Sequence, residues 1–396
     1  MAKATAIKFA LMTDLPRELY EGIIDYLWDD RSSLAASGLV CRALRPQVRS
    51  HLFHSIHLHR GNYDTFWELV QQAPVLGSYV RSLCIHMTEA RFSSILHNLT
   101  ALRELTIRWW FADAMVQDVW LAFFGCVGLV EALCLDRLIV PPEFLGSLSR
   151  LLCSCPRLKS LKVYWSRGMS MQTFSLHPLL EGITPTENVI LQDLTVHFSQ
   201  YSIIDWLLCG PLAIQLRHLD IAWERDAEVV QTLLNNAGSS LERLSLAHKK
   251  CSYSPPMQEL SLSEHKRLTG LHFKHIWMHQ QEDTGWMATV LSTIRSTQIR
   301  QIIFDLCTAI LNDILSLPWA DIDGTISSLA VKQPGLELTV NIINNRWDRR
   351  HHTLPVELEN AIRRRLQGSQ AAGWEVNIIY RKDPPSEKDE ILRQSF

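Results

Sequence analysis

The feature that most constrains the fold of this chain is a short apolar pattern that recurs along most of its length. The pattern reads Leu-x-x-Leu-x-Leu, other apolar residues can replace each Leu, and the first copy runs from Val80 to Ile85. Nine copies occur, and their central residues are Leu83, Leu105, Leu133, Leu161, Leu194, Leu219, Leu244, Leu271 and Ile302. Successive central residues are 22 to 33 residues apart, which is close to the length of a unit that holds one strand and one helix.

Helix-like segments lie between these copies. Asp226 to Leu234 and Asp283 to Ile294 carry apolar residues at helical spacing, as do Asp113 to Phe124 and Glu143 to Cys153, and Gly238 stands where a helix would stop. A strand followed by a helix, repeated, gives a parallel sheet through right-handed crossovers. We therefore expect an α/β fold in which each repeat adds one strand to a common sheet.

On these motifs the region from Val80 to Phe304 resembles the leucine-rich-repeat family. The resemblance implies a solenoid whose curved parallel sheet lines the inside and whose helices lie outside. The Asn or Cys that the family carries three residues after the last Leu is absent, so we expect an irregular solenoid. Beyond Phe304, Leu336 to Ile343 and Trp374 to Tyr380 read as strands and Leu354 to Leu366 as a helix, which predicts degenerate terminal repeats.

A different pattern precedes the repeats and predicts three short helices. Asp14 can cap the first helix, and Ser32 or Ser33 the second. A strand from Ser55 to His59 follows the third helix. Three helices this short cannot bury all their apolar side chains on one another, so some should remain for a partner or for the next domain. Those side chains are Leu15, Leu19, Ile23, Ile24 and Leu27, then Leu34, Leu39 and Val40, then Leu44, Val48 and Leu52.

The opening Leu15-Pro16 with Glu18, and the later Leu39-Val40-Cys41-Arg42, resemble the F-box. One departure is Leu44, because an aromatic residue often follows the Val-Cys-Arg segment in that family. The resemblance implies docking onto the adaptor subunit of SCF-type cullin-RING ubiquitin ligases. The residues that it places at or near that contact are Leu15, Pro16, Leu19, Ile24, Leu27, Leu39 and Val40. The alternative is a helical cap that only covers the end of the next domain.

Composition narrows the class of protein. The formal net charge of -2 argues against nucleic acid or an acidic membrane surface as the general partner. The nine cysteines are scattered and lie mostly in apolar runs, which indicates free thiols in a reducing compartment, the cytoplasm or the nucleus. Met1 to Met12 is too short and interrupted for a secretory signal, and no apolar stretch is long enough for a membrane span.

Signals for catalysis or metal binding are weak. The chain has no phosphate-binding loop, nucleophile elbow, His-Glu-x-x-His or Cys-x-x-Cys motif, and Cys153-Ser-Cys155 is too tight for a zinc pair. Two groups of histidines lack acidic or cysteine ligands at a useful spacing, so we expect surface histidines and no metal site. They are His54, His57 and His59, and His272, His275 and His279. From the missing motifs we expect no cofactor and no enzymatic activity.

Strand alternation turns the residues between the leucines away from the core, onto the concave face of the expected solenoid. Both charge signs occur along this face, which favours a protein or peptide partner. The first strands carry more Arg and Lys than Asp and Glu at these positions. Acidic or phosphorylated target segments would bind there. The cationic candidates are Arg81, Arg103, Arg108, Lys159, Lys162, Arg217 and Arg243.

Two further sets of residues have a structural and a functional interpretation. Trp109, Trp165 and Trp223 stand four residues after central leucines, where packing at the edge of the core is favoured over an aromatic binding row. The arginines between Arg346 and Arg365 are interleaved with Glu357 and Glu359, which favours a solvated helix face over an import signal or a phosphate site.

The sequence thus predicts a flexible N-terminus (residues 1–13), an F-box-like domain (14–60), a leucine-rich-repeat solenoid (61–380) and a disordered tail (381–396). The predicted function is that of a substrate receptor, in which the F-box-like domain docks on the ligase adaptor and the repeats hold an unknown target protein. The alternative is a protein-interaction scaffold, unconnected with a ligase, whose N-terminal helices only cap the solenoid.

Overall fold

The protein is described from a computed structural model, which contains two compact units, residues 1–131 and residues 132–396. The residues it describes are 16–86, 95–108, 127–138, 150–165, 189–197, 204, 207–208, 213–223, 227–248, 260–277, 284–308, 311–331, 333, 335–344 and 356–381. Each unit is considered on its own below.

Unit 1 begins with three short helices, α1 (Arg17–Tyr26), α2 (Arg31–Val40) and α3 (Arg45–Leu52). The start of α2 corrects the sequence prediction, since the cap is Asp30 and neither Ser32 nor Ser33. The Asp30 carboxylate accepts hydrogen bonds from the Ser32 and Ser33 backbone N–H groups at 3.1 and 3.0 Å and from both hydroxyls at 2.6 Å. A carboxylate one residue before the helix satisfies the first free N–H groups, which the serines, already inside the helix, cannot do.

The three helices share a small core of Ile24, Leu34, Leu44 and Val48, each at most 3% exposed. A polar contact on the surface joins α1 to α3, because Asp25 Oδ1 lies 2.7 Å from His51 Nε2 and accepts a hydrogen bond from Gln47 Nε2 at 2.5 Å. The bond from His51 is the main cause that lowers the pKa of Asp25. The expected three-helix arrangement is therefore present, and its core needs few residues.

The rest of unit 1 contains three parallel strands among its described residues, β1 (Ser55–Leu58), β2 (Ser82–His86) and β3 (Glu104–Arg108). Helix α4 (Tyr63–Gln72) and a 3-10 turn (Pro74–Tyr79) connect β1 to β2. Ile56 of β1 is in register with Leu83, and Leu83 with Leu105. Strand β1, which follows the three helices, thus pairs with β2 of the first repeat, and Ile56 takes the position that the central leucines take in the repeats. A truncation that removes β1 would uncover the edge of β2.

Unit 2 contains nine parallel strands in sequence order among its described residues. They are β4 (Ala132–Leu138), β5 (Ser160–Trp165), β6 (Ile190–His197), β7 (Ala213–Trp223), β8 (Arg243–His248), β9 (Gly270–Trp277), β10 (Gln301–Thr308), β11 (Glu337–Asn344) and β12 (Glu375–Arg381). The described helices are α5 (Ala227–Ala237), α6 (Gly285–Ser292), α7 (Trp319–Ala330), α8 (Val356–Arg365) and α9 (Gln367–Ala371).

One row of apolar residues fixes the register of this sheet. The central residue of each repeat pairs with that of the next, from Leu133 to Ile302, and the row continues through Leu338 to Val376. All of these residues are at most 2% exposed except Val376, at 7%. Strand β11 and strand β12 therefore confirm the two predicted terminal strands, and the α/β fold in which each repeat adds one parallel strand is confirmed.

The described helices of unit 2 agree with the sequence pattern where it can be compared. Helix α5 buries Val230, Leu233 and Leu234, and the chain leaves it at Gly238, whose φ of 51° favours glycine. Trp223 is 3% exposed and packs edge-to-face on Trp286 with ring centroids 5.6 Å apart, as expected of a residue at the edge of the core. Trp109, the Trp165 side chain, the segment 113–124 and most of the segment 143–153 lie outside the described residues.

The leucine row leads to a stability prediction for unit 2. Leu244 is 1% exposed, so Leu244→Ala should destabilise the unit by about 2–5 kcal/mol through lost burial and a cavity. The neighbouring Ser245 points to the opposite face, and Ser245→Ala should change stability by less than about 0.5 kcal/mol. Urea unfolding monitored by tryptophan fluorescence measures both. Equal effects of the two substitutions would contradict the register.

Candidate functional site

The first candidate site is an exposed apolar surface on α1 and α2, called here the apolar helical surface. Leu39 and Val40 lie five and six residues after the buried Leu34, and at about 100° per residue both point away from it. In α1, Leu19 lies five residues before the buried Ile24 and is turned outward for the same reason. The members of the surface are Leu19, Ile23, Tyr26, Trp28, Leu39 and Val40, which are between 55% and 90% exposed.

The predicted adaptor-contact residues divide into three groups. Leu19, Leu39 and Val40 belong to the apolar helical surface, and Pro16 is exposed just before α1. Ile24 is 2% exposed in the core of the three helices and half-buried Leu27 packs against that core, so both support the surface from beneath. Leu15 lies outside the described residues.

Three exposed residues were missed by the sequence reasoning as members of a contact surface. Ile23 was grouped with Ile24 in the apolar pattern of α1 and was not among the predicted adaptor contacts, but of these two residues only Ile24 enters the three-helix core. Tyr26 and Trp28 are 90% and 68% exposed at the end of α1. The signal that could have found all three is the narrowness of a three-helix core, which has room for one apolar stripe per helix.

The second candidate site is the face of the unit 2 sheet opposite the leucine row, called here the open face. Its centre holds a carboxylate that contacts side chains from two other strands. Asp220 Oδ2 on β7 accepts a hydrogen bond from Lys274 Nζ on β9 at 2.7 Å, and Asp220 Oδ1 lies 3.2 Å from His197 Nε2 on β6. Because β8 lies between β7 and β9, the Lys274 side chain must cross it, and small residues stand there. Ala247 on β8 is 6% exposed.

A second carboxylate is held in the same way farther along the open face. Asp305 Oδ2 on β10 lies 2.8 Å from His272 Nε2 on β9, and Asp305 Oδ1 accepts a hydrogen bond from Asn341 Nδ2 on β11 at 2.7 Å. A third pair joins His218 Nδ1 on β7 to Asp193 on β6. We call this set the polar band: Asp193, His197, His218, Asp220, His272, Lys274, Asp305 and Asn341.

The polar band keeps its two central carboxylates ionised in spite of burial. Burial is the largest single effect on Asp220 and raises its pKa, but the hydrogen bond and charge of His197 and the ammonium of Lys274 together lower that pKa below the ordinary value. At Asp305 burial again acts to raise the pKa, and His272, Asn341 and the charge of His275 lower it. Both carboxylates are thus held by side chains from neighbouring strands, which gives the open face a fixed pattern of donors and acceptors.

The predicted cationic residues of the open face lie outside the polar band. Lys162 on β5, Arg217 on β7 and Arg243 on β8 are exposed, as is Lys159, which directly precedes β5. Arg243 is in register with His218, which is in register with Asp193. The exposed Lys162, Arg217 and Arg243 therefore lie on strands within or beside the polar band.

The other three cationic candidates belong to unit 1. Arg103 is exposed, while Arg81 and Arg108 are half-buried. Arg81 Nη1 donates a hydrogen bond to the Ala101 carbonyl at 3.1 Å, so part of its guanidinium serves the turn before β3.

Within the described ranges, no three His, Cys, Asp or Glu side chains converge as metal ligands. His59 Nδ1 accepts the Gly61 N–H at 3.1 Å, and His272 contacts Asp305. Burial raises the pKa of Cys155 to about 12, and that of Cys153 is raised as well, so both remain thiols with little reactivity. None of the helices in the described part of the chain is long and apolar enough to span a membrane.

Comparisons with known proteins add little to this geometry. No protein-family model matches the chain, and no curated protein matches it. A solved structure, the leucine-rich repeat-containing protein LegL7 from Legionella pneumophila, is similar with a TM-score of 0.43 and 14% identity, over 84% of this chain and 99% of that one. A similarity this low carries no argument about the fold or the function of this chain.

The carboxylate of Asp305 should make the stability of unit 2 depend on pH. Its folded-state pKa lies below the ordinary value of 3.8, so the unfolded chain binds more protons as the pH falls through this range. The stabilisation is therefore present above about pH 5 and is lost as the pH falls below about 4. Asp305→Asn should lower stability at neutral pH, and its difference from the natural chain should shrink towards about pH 3.

Urea unfolding midpoints at several pH values test this, with the exposed Asp321 of α7 as a matched control in Asp321→Asn. A difference between Asp305→Asn and the natural chain that stays constant with pH would contradict the paired state of Asp305.

Proposed function

We propose that this chain is a substrate receptor of an SCF-type cullin-RING ubiquitin ligase. The apolar helical surface docks on the adaptor subunit, and the open face of the repeats holds a target protein. The chain itself performs no chemistry in this role. It raises the effective concentration of the target beside the ligase core, as any linker of two binding events does.

The observation that carries this proposal is the apolar helical surface itself. Leu39 and Val40 are 83% and 64% exposed, although both are large and apolar, and the small core beneath them is already closed by Ile24, Leu34 and Leu44. Several large apolar side chains that stay exposed on one small helical module indicate a place where another molecule binds. The F-box resemblance of the same helices supplies the identity of the proposed partner.

The open face supports the second half of the proposal. Its polar band is preorganised, since Asp220 and Asp305 are each held by side chains from neighbouring strands. A rigid array of donors and acceptors suits recognition of an extended protein segment, because few side chains need to be ordered on binding. The exposed Lys159 and Lys162 at one end favour an acidic or phosphorylated segment.

The second candidate function is a protein-interaction scaffold without a ligase. It is favoured by the contact of α3 with the 3-10 turn Pro74–Tyr79, since part of the helical module does pack on the first repeat. A helical module that only caps the repeats does not explain why Leu39 and Val40 on α2 are exposed. Purification of the full chain separates the two functions, because the adaptor co-purifies only with a ligase receptor.

Replacing Leu39 and Val40 together by Asp should abolish adaptor binding and leave the fold intact. Each apolar side chain buried at a contact contributes about 1.5–3 kcal/mol, so losing two should weaken binding at least about 100-fold. Titration of the purified chain with the adaptor in a calorimeter measures the effect.

The control for this experiment is Val331→Asp, which introduces one Asp at an apolar residue of unit 2 that is 83% exposed. It should bind the adaptor as the natural chain does. Normal adaptor binding by the double variant Leu39→Asp, Val40→Asp, together with a normal melting temperature, would contradict docking of the adaptor on the apolar helical surface.

Charge reversal at Lys159 and Lys162 should release the target while adaptor binding stays normal. The target is to be identified by affinity purification with the proteasome inhibited, and its recovery compared between the natural chain and the double Glu variant. Two exposed charge-assisted contacts of this kind should change recovery about tenfold. Lys266→Glu, at an exposed site in a loop, is the control. Full recovery with the double variant would place the target elsewhere.

A further inference from the structure

The last strand of unit 2 is paired on one side only in the part of the chain that the structure describes. Among the described residues, β12 (Glu375–Arg381) pairs with β11 and lies at the end of the strand order. Every second residue of an outer strand directs its N–H and C=O groups away from the sheet, and such an edge is a template for pairing with another strand. The inference below concerns this edge and is independent of the proposed ligase function.

The apolar row of β12 is also less covered than that of its neighbour. Leu338 and Val340 of β11 are fully buried, whereas Val376 is 7% exposed and Ile378 is half-buried. On the other face of the strand Ile379 is 41% exposed. The strand thus offers apolar side chains on both faces as well as backbone hydrogen-bonding groups.

The sequence of β12 is complementary to itself when two copies run antiparallel. Pairing centred on Ile378 places Glu375 of each copy opposite Arg381 of the other, because each lies three residues from the centre. Val376 then faces Tyr380, and Ile378 faces its own equivalent. Directly opposite residues of antiparallel strands have Cβ atoms about 5 Å apart, so the two opposite charges at each end attract.

One side chain already occupies part of this edge. Arg363 of α8 donates a hydrogen bond from Nη1 to the Val376 carbonyl at 3.0 Å, and its Nε and Nη2 bind Glu359 Oε1, each at 2.9 Å. A carbonyl oxygen has two lone pairs, so Val376 can accept a second hydrogen bond from another chain. The contact therefore holds the start of β12 in place without closing the strand to a partner.

We propose that β12 is a homodimerisation strand, on which a second copy of this chain pairs antiparallel about Ile378. The two-fold axis passes through the Ile378 pair, and the same patch serves both copies, as in any two-fold symmetric contact. Exposed Glu375 and Arg381 set the register, since a slip of the pairing separates both charge pairs at once. The interface is small, so the dimer is weak and its population depends on concentration.

Sedimentation velocity of the full chain, from about 1 to about 100 µM, tests whether a dimer forms. The single variants Glu375→Arg and Arg381→Glu place like charges opposite each other at both ends and should weaken dimerisation at least about tenfold. Both residues are exposed, so these changes should leave the circular dichroism spectrum and the melting temperature of the chain unchanged.

A charge exchange makes the test specific to this pairing. An equimolar mixture of the Glu375→Arg and Arg381→Glu chains should form heterodimers, because each Arg then faces a Glu. The double variant with both changes should dimerise as the natural chain does. Glu357→Arg and Arg295→Glu, which reverse exposed charges away from β12, are the controls and should dimerise normally.

Three results would overturn the proposal. A natural chain that stays monomeric throughout the concentration range leaves the edge to another occupant, such as an extended segment of a different protein. A dimer that is indifferent to both single charge reversals uses another surface. Failure of the mixed variants to associate would show that Glu375 and Arg381 do not face each other.

Discussion

The burial of one apolar residue per strand in a common row is the constraint on which the rest of this structure depends. In unit 2 the row runs from Leu133 to Val376, and its members other than the last are almost completely buried. Because strand side chains alternate between faces, fixing this row assigns every neighbouring residue to the open face. A slip of one residue would bury Lys162 or Asp220 and expose leucines, so the register of each repeat is strongly specified.

The open face inherits its chemistry from that register. Lys274 reaches Asp220 only because the parallel strands place both residues on one face, two strands apart, with Ala247 and Ser245 between them. The pairs His272–Asp305 and Asn341–Asp305 arise in the same way from three successive strands. Each contact joins residues that are distant in sequence, so the polar band belongs to the stacked repeats and to no single one.

The first three helices and the last described strand differ from the repeats in how much apolar surface they leave exposed. At the N-terminus, three short helices close a core of four residues and leave Leu19, Leu39 and Val40 exposed, since so small a core cannot accept more. In unit 2, β12 keeps an apolar row that is less covered than that of β11, and among the described residues it pairs on one side only. In a repeat array the interior units cover one another, and exposed apolar surface collects where the repetition stops. The proposed adaptor contact and the proposed dimer contact therefore lie at ends of the repeat pattern, whereas the proposed target site lies on the open face of unit 2.

The sequence by itself determined the repeat. The period of the leucine pattern fixed the strands and their parallel order, and alternation within each strand assigned Leu244 to the core and Lys162 to the surface. It also indicated the two terminal strands and the three N-terminal helices, because these depend on local spacing of apolar residues. The tertiary structure decided which apolar residues of α1 and α2 stay exposed, since Ile23 and Ile24 are indistinguishable in the pattern and only one fits the core. It decided as well which carboxylates of the open face have partners, because the Asp220 and Asp305 contacts depend on distances between strands that a linear sequence does not contain.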